Sequence, residues 1–128
     1  MSIRFKTIQR INPKDLAAPR KYYATVEQKE KIGIDRLSEK LAAESIVSRA
    51  DASAVFTAVL DTMLRELKEG SPVEMGKLGT ISISFSSRGM ASEDEVTAAS
   101  ISKARIIFRP GKELKDMLKT LKFEKNGK

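Results

Sequence analysis

The sequence predicts an α+β fold with two helices, a three-stranded antiparallel sheet with a hairpin arm, and a short C-terminal helix. Three observations support it. Apolar residues recur at helical spacing between residues 35 and 70, and they alternate with polar residues between 73 and 108. Phe108-Arg109-Pro110-Gly111 then ends the last strand, because proline has no amide hydrogen for a ladder and glycine tolerates the turn.

Residues 1–34 are predicted to form an extension in front of this domain. Ile3 to Ile11 alternates as a strand does, and Asn12-Pro13 breaks it. Residues 12–24 have no sustained period and are expected to form an irregular loop or arm, followed by a second short extended piece before Gly33. Tyr22-Tyr23 could stack on bases, although paired loop tyrosines more often pack onto their own domain.

Two helices are predicted after the extension. The first begins at Asp35, a plausible N-cap, and presents Leu37 and Leu41 on one face. In the second, Ser48 can cap the helix, and Asp51 three residues later can complete a capping box by accepting from the backbone amide of Ser48. Gly70 suits the position after the last turn.

The second helix carries an apolar stripe that is wide for so small a protein. A second subunit is one way to cover it, and an intrachain core is the other. Its members are Val55, Phe56, Val59, Leu60, Met63 and Leu67.

The sheet is predicted to begin after Pro72. Two strands flank the glycine-bracketed turn Gly76-Lys77-Leu78-Gly79, and the polar segment Ser87 to Ser100 forms the hairpin tip. The return strand runs from Ile101 to Phe108, and Leu114, Met117, Leu118 and Leu121 then follow at helical spacing.

Composition limits the functions available to this chain. Its 128 residues fit one domain, and it has neither cysteine nor histidine. Disulfides, thiolate metal sites and histidine-based catalysis are therefore excluded. No apolar run approaches the roughly 20 residues of a membrane span, and the N-terminus lacks a secretory signal. We expect a cytoplasmic protein that is not an enzyme, with no cofactor, metal, membrane or small-molecule substrate.

Charge is unevenly distributed along the chain. The net charge is +7, and residues 1–34 contain eight Lys/Arg against three Asp/Glu. Residues 35–100 contain seven against eleven, and residues 101–128 contain nine against three. Basic ends around an acidic middle predict one surface that faces a polyanion, although many small proteins are basic without such a partner.

Three motifs carry a family resemblance over residues 33–121. Ser48-Arg49-Ala50-Asp51 opens a long amphipathic helix, Gly76-Lys77-Leu78-Gly79-Thr80 forms a bracketed turn, and Phe108-Arg109-Pro110-Gly111-Lys112-Glu113-Leu114-Lys115 joins strand to helix. In this order and spacing they resemble the HU and integration host factor family of bacterial histone-like proteins. The extension resembles that of an HU-related subgroup with an additional front segment.

The resemblance implies an HU-like intertwined dimer that binds double-stranded DNA. Such a nucleoid-associated protein condenses DNA through mainly phosphate contacts with little sequence preference, and its arms embrace the minor groove. A homodimer is expected, and a heterodimer with a paralogue is equally compatible. The expected organisation is an extension over 1–34, an HU-like DNA-binding domain over 35–123, and a disordered basic tail over 124–128.

Seven cationic residues are the candidate DNA-binding residues by matching position. For each of them a merely solvated charge is the alternative. In descending order they are Arg109, Lys112 and Lys115, then Lys103 and Arg105, then Arg88 and Lys77. Arg4, Lys6 and Arg10 in the extension are further candidates, but the sequence does not say which face they occupy.

The predicted arm departs from the family pattern. Between Ser84 and Ser102 it has one basic residue, Arg88, no proline to wedge between base pairs, and an acidic cluster at Glu93-Asp94-Glu95. Negative charge is unfavourable in a groove between phosphates. The sequence therefore leaves two functions open, a DNA-binding architectural protein or a related fold that serves as a protein-interaction or assembly module.

Overall fold

A computed structural model describes residues 1–126. It has an α+β fold, as predicted. The elements, in chain order, are β1 (Ile3–Arg10), β2 (Lys21–Val26), α1 (Ile34–Glu44), α2 (Arg49–Lys68), β3 (Val73–Glu74), β4 (Gly79–Ser87), β5 (Ile101–Pro110), α3 (Lys112–Leu118) and β6 (Phe123–Lys125). The chain divides into a terminal unit, made of residues 1–31 with those from Met117 onward, and a central unit over Ile32–Asp116.

The terminal unit is built on a three-stranded sheet of order β2-β1-β6. β1 pairs antiparallel with β2 and parallel with β6. Between β1 and β2, the amide of Lys14 donates to Asn12 Oδ1 (2.9 Å) and that of Ala17 to Asp15 Oδ1 (3.1 Å). In this loop around Pro13, side-chain oxygens accept from backbone amides that a strand would pair in its ladder. The predicted irregular segment is shorter than expected, because β2 already begins at Lys21.

The C-terminal segment corrects the prediction of a disordered tail from residue 124. Glu124 pairs with Arg4 and Lys125 with Phe5, and the amide of Asn126 donates to the carbonyl oxygen of Phe5 (2.8 Å). The partner strand lies more than a hundred residues earlier, so no local pattern indicates the pairing. Residues 127 and 128 of that predicted tail lie outside the described residues.

The two predicted helices of the central unit are present. α1 is capped by Gly33, whose carbonyl oxygen accepts from the amide of Leu37 (3.0 Å), so Asp35 lies in the first turn and the prediction that it caps the helix is wrong. A carboxylate in the first turn still suits the positive end of the helix dipole. Where the helices pack, Ser38 is 0% and Ala52 2% exposed.

Ser48 and Gly70 mark the two ends of α2 as the sequence predicts, but of the predicted capping box the structure has only the bond accepted by the Ser48 side chain. The amide of Asp51 donates to Ser48 Oγ (3.1 Å), so Ser48 caps the helix. At the other end Gly70 has φ +93° and its amide donates to Leu67 O (3.0 Å), while Ser71 N donates to Glu66 O (3.0 Å). This pair of bonds is a Schellman motif, in which glycine accepts the left-handed conformation at low cost.

The central sheet has the order β3-β4-β5, with both pairings antiparallel. β5 extends two residues beyond the predicted end at Phe108, and Pro110 lies opposite Gly79. The segment between β4 and β5 contains two short 3₁₀ turns, Glu93–Glu95 and Ala98–Ser100. The predicted three-stranded antiparallel sheet with its hairpin arm is thus present.

The single chain leaves much of its apolar surface exposed. On α2, Ala52 is buried and Phe56, Met63 and Leu67 are half-buried. The rest of the predicted stripe is open, with Val55 61% exposed. Among the described residues, no helix is both long and apolar enough to span a membrane.

Candidate nucleic-acid interface

The register between β4 and β5 sorts their side chains onto two faces. Opposite residues of an antiparallel pair share a face, and neighbours along a strand alternate between faces. Thr80 lies opposite Arg109, Ser84 opposite Arg105 and Ser86 opposite Lys103. Cations of one strand and hydroxyls of the other therefore lie together on one face, which we call the cationic face, and Ile107, opposite Ser82, interrupts the row.

Three of the seven predicted residues meet on this cationic face. Lys103, Arg105 and Arg109 all lie on β5, and all three are exposed. At about 3.4 Å per residue, the row from Lys103 to Arg109 extends over about 20 Å. Glu74 on β3 lies opposite Thr80 and adds one carboxylate to the same face. The row is long enough to follow several phosphates of a duplex.

The hydroxyl row on β4 completes this face and was not among the predicted site residues. Ser82, Ser84 and Ser86 are half-buried. Ser84 and Ser86 lie opposite cations, and Arg105 Nη1 donates to Ser86 Oγ at 2.8 Å. Hydroxyls and backbone amides commonly supplement Arg and Lys at phosphates. Alternation of serine with apolar residues was visible in the sequence, but only the cross-strand register joins those serines to the cations.

The opposite face of the same ladder is apolar and open. Ile83 lies opposite Ile106 and Ile81 opposite Phe108. Ile106 is 72% exposed and Phe85 55% exposed. A hairpin with one charged and one apolar face usually buries the apolar one, so we expect this surface to be buried against another part of the protein or a partner.

The glycine-bracketed turn packs tightly against the strand-to-helix junction. The amide of Gly111 donates to Leu78 O at 3.0 Å. A Cβ on Gly79, which has φ +129°, would lie 2.8 Å from Gly111 N and would collide with the carbonyl oxygen of Arg109. A Cβ on Gly111 would lie 2.7 Å from Lys77 O. These contacts fix the backbone from which Arg109 and Lys112 project.

The predicted lysines outside β5 lie around this junction. Lys112 and Lys115 are three residues apart on α3 and therefore on neighbouring positions of its surface. Lys77 lies in the turn, and its Nζ is 3.6 Å from Glu113 Oε2 with both side chains largely exposed. A surface pair of this kind contributes about 0–1 kcal/mol and leaves the lysine free to exchange partners.

Arg88 is separated from the other candidates, at the end of β4. Its Nη2 donates to the carbonyl oxygen of Ala99 at 2.7 Å, and its amide donates to Ser100 O at 2.8 Å. Ser100 is 1% exposed and forms a capping box with Thr97. Arg88 thus closes the segment that joins the two long strands.

The β-hairpin with a cationic ladder face, joined through a Pro-Gly break to a short helix that carries Lys112 and Lys115, is the arrangement of an HU-type domain. The chain belongs to the family described as "HU domain fused to wHTH, Ig, or Glycine-rich motif", whose model matches residues 1–125. This confirms the resemblance to HU proteins. HU domains are not enzymes, so the prediction of a non-enzymatic protein is also confirmed.

A solved structure has a similar fold over nearly the whole chain. It is the crystal structure of a "Putative bacterial DNA binding protein" from Bacteroides vulgatus ATCC 8482, with a TM-score of 0.65 and 17% sequence identity. The match covers 98% of this chain and 48% of that chain, so the present sequence spans about half of its length. A search of curated proteins finds no match.

Proposed function

We propose that this protein is a DNA-binding, nucleoid-associated architectural protein of the bacterial cytoplasm that binds duplexes with little sequence preference. One observation supports it above the others: the strand register gathers Lys103, Arg105 and Arg109 on one face beside a row of hydroxyls. Family membership and the structural neighbour support DNA binding in general. Lys112, Lys115, Lys77 and Arg88 are proposed as further phosphate contacts.

Phosphate contact explains both the residue types and the low sequence preference. Each lysine or arginine that neutralises a phosphate releases a condensed counterion, and this release favours binding whatever the base sequence. The three cations on β5 are all exposed, and their long side chains can reach phosphates whatever the base sequence.

We further propose that the protein acts as a homodimer, and a heterodimer with a paralogue is equally compatible with the observations. Two exposed apolar surfaces support this, the face of the central sheet that contains Ile106 and Phe85, and the stripe on α2 that contains Val55. Burying such surfaces would contribute about 25 cal/mol per Å² of apolar area. Light scattering tests the proposal, and a monomer at micromolar concentration would contradict it.

The DNA-binding proposal is tested by fluorescence anisotropy with a labelled duplex of a few tens of base pairs, titrated at several salt concentrations. We expect micromolar or tighter binding that weakens steeply with salt. Replacing Arg105 and Arg109 with glutamine should reduce the slope of log K against log salt by about 0.9 per lost contact.

A matched control separates the site from the overall charge. Glutamine at Lys40 and Lys68, which lie on α1 and α2, removes two charges as well, yet should leave the slope unchanged. Equal effects of the two double variants would mean that net charge alone attracts DNA. Absence of binding at low salt would contradict the proposed function.

A second candidate function is a protein-interaction or assembly module with weakened DNA binding. The observation that favours it is the acidic 3₁₀ turn Glu93–Glu95, whose three carboxylates occupy the segment that an HU arm would direct at DNA. Replacing these three residues with lysine distinguishes the functions. Tighter DNA binding would mean that the acids only hinder DNA, whereas loss of a protein complex would favour the module.

A further inference from the structure

We propose that the sheet of the terminal unit carries a second duplex-binding surface, formed by Arg4, Lys6, Arg10 and Lys21. The proposal takes its ligand, duplex DNA, from the proposed function. It concerns residues that lie outside the HU-like candidates, on an extension and a strand pairing of their own. The ligand class is the phosphodiester backbone of the duplex.

The register of this sheet sorts charge onto one face. Even-numbered residues of β1 share a face, and Arg10 lies opposite Lys21, so all four cations project from that face. All four are exposed. Two carboxylates lie near this face, both beside Arg4. Glu124 lies opposite Arg4 on β6, and Glu27 directly follows β2 and donates its amide to the carbonyl oxygen of Arg4 (2.9 Å).

The other face of the sheet is nearly uncharged. Phe5 lies opposite Val26 and Ile3 opposite Phe123, and Lys125 is the one charged residue of the described strands there. The segregation is therefore a property of the fold. The alternation of β1 directs its three cations away from Ile3 and Phe5, although Ile8 shares their face, and the pairing with β2 adds a fourth cation. A polyanion can meet all four from one side.

The aromatic residue on the cationic face favours phosphates over bases. Tyr23 lies opposite Ile8, and the guanidinium of Arg10 is 5.5 Å from the centroid of its ring. Because the cation already lies over the ring, the ring is a poor platform for stacking an unpaired base. The same contact restrains the Arg10 side chain on the surface, where its remaining donors can reach phosphate oxygens.

The spacing of the cations suits an extended polyanion. From Arg4 to Arg10 the strand covers about 20 Å, with cations about 7 Å apart at its first step. A duplex carries about one negative charge per 1.7 Å of its axis, so phosphates are available along the whole row. Within residues 1–126, none of the four cations forms an ion pair with a carboxylate.

The test compares two triple variants of the full chain in the salt-dependent duplex titration. The first replaces Arg4, Lys6 and Arg10 with glutamine. The matched control replaces Lys14, Lys29 and Lys31, exposed lysines of the loops in the same unit, and removes the same charge. We expect the first variant to lower the salt slope by about two to three, at about 0.9 per contact, and the control to change it little.

Other outcomes are equally informative. Equal slopes for the two triple variants would overturn the inference, because net charge would then explain the effect. We call the Arg4, Lys6 and Arg10 triple variant the β1 variant. If the salt slope falls for the Arg105/Arg109 double variant but not for the β1 variant, the inference is overturned and the proposed function is left intact. If the unmodified chain itself does not bind the duplex at low salt, the proposed function is rejected. Far-ultraviolet circular dichroism confirms that each variant folds.

A labelled single strand of equal length separates the two kinds of nucleic acid. We expect the β1 variant to lose more affinity for the duplex than for the single strand. A loss confined to the single strand would contradict the inference and would instead indicate base stacking at Tyr23.

Discussion

Arg88 donates a hydrogen bond from its guanidinium Nη2 to the carbonyl oxygen of Ala99, at 2.7 Å. The bond joins the two ends of the segment that connects β4 to β5. The backbone reinforces this bond, since the amide of Arg88 donates to Ser100 O at 2.8 Å. The one basic residue of the arm therefore helps to hold the arm closed. Its remaining guanidinium donors are still available to a phosphate.

Arg88→Gln is expected to loosen the arm. The charged hydrogen bond is exposed, so its loss should lower the free energy of unfolding by about 1 kcal/mol or less. The clearer effect should be faster amide hydrogen exchange over residues 88–100, measured by mass spectrometry. Arg105→Gln is the control, because its partner is Ser86 on the ladder. A lower salt slope with unchanged exchange would instead identify Arg88 as a DNA contact.

Arg109→Ala and Lys112→Ala are expected to weaken DNA binding by similar amounts for duplexes of unrelated sequence. Phosphate contacts carry no base information, so each variant should reduce the salt slope by about one. The measurement is an anisotropy titration against two duplexes that differ in base composition. A loss limited to one of the duplexes would show that these residues read sequence, and an unchanged slope would place them away from the DNA.

Ser48→Ala is expected to destabilise the protein by about 1 kcal/mol, because the amide of Asp51 loses its side-chain acceptor at the start of α2. Ser53→Ala is the matched control within the same helix. Replacing Ser53 with alanine should leave the free energy of unfolding unchanged or raise it by about half a kcal/mol, since alanine is the better helix former. Urea unfolding at one fixed protein concentration measures both, and equal midpoints would show that the cap contributes nothing.

Local patterns predicted most of the central unit. Helical spacing, the Ser48 cap and the Gly70 stop are short-range features, and the structure has each of them. Alternation of residues likewise placed β4 and β5, since one face of a hairpin differs chemically from the other. The first cap was misplaced by two residues because glycine at position 33 supplies only a backbone carbonyl.

Long-range pairing was beyond the reach of the sequence pattern. Phe123–Lys125 is a three-residue strand whose partner is β1, and nothing near it distinguishes it from a disordered basic tail. The candidate site divides in the same way. Its cations were predicted by residue type and motif, whereas the serines beside them and the shared face of Arg4, Lys6 and Arg10 depend on registers that only the structure supplies.

Gly79→Ala is expected to disrupt the junction between the turn and α3. A Cβ there would collide with Arg109 O, and φ +129° is unfavourable for any residue with a side chain, so the loss should exceed about 2 kcal/mol. Gly76→Ala is the matched control in the same turn. Gly76 has φ +60° and open space around a Cβ, so its replacement should cost about 1 kcal/mol, the conformational term alone. Thermal and urea unfolding measure the difference.

Because the collision involves the backbone of Arg109, Gly79→Ala should also weaken DNA binding under conditions where the variant is folded, and Gly76→Ala should not. Similar costs for the two variants would show that the close approach of Gly79 to Arg109 is not what holds this junction together.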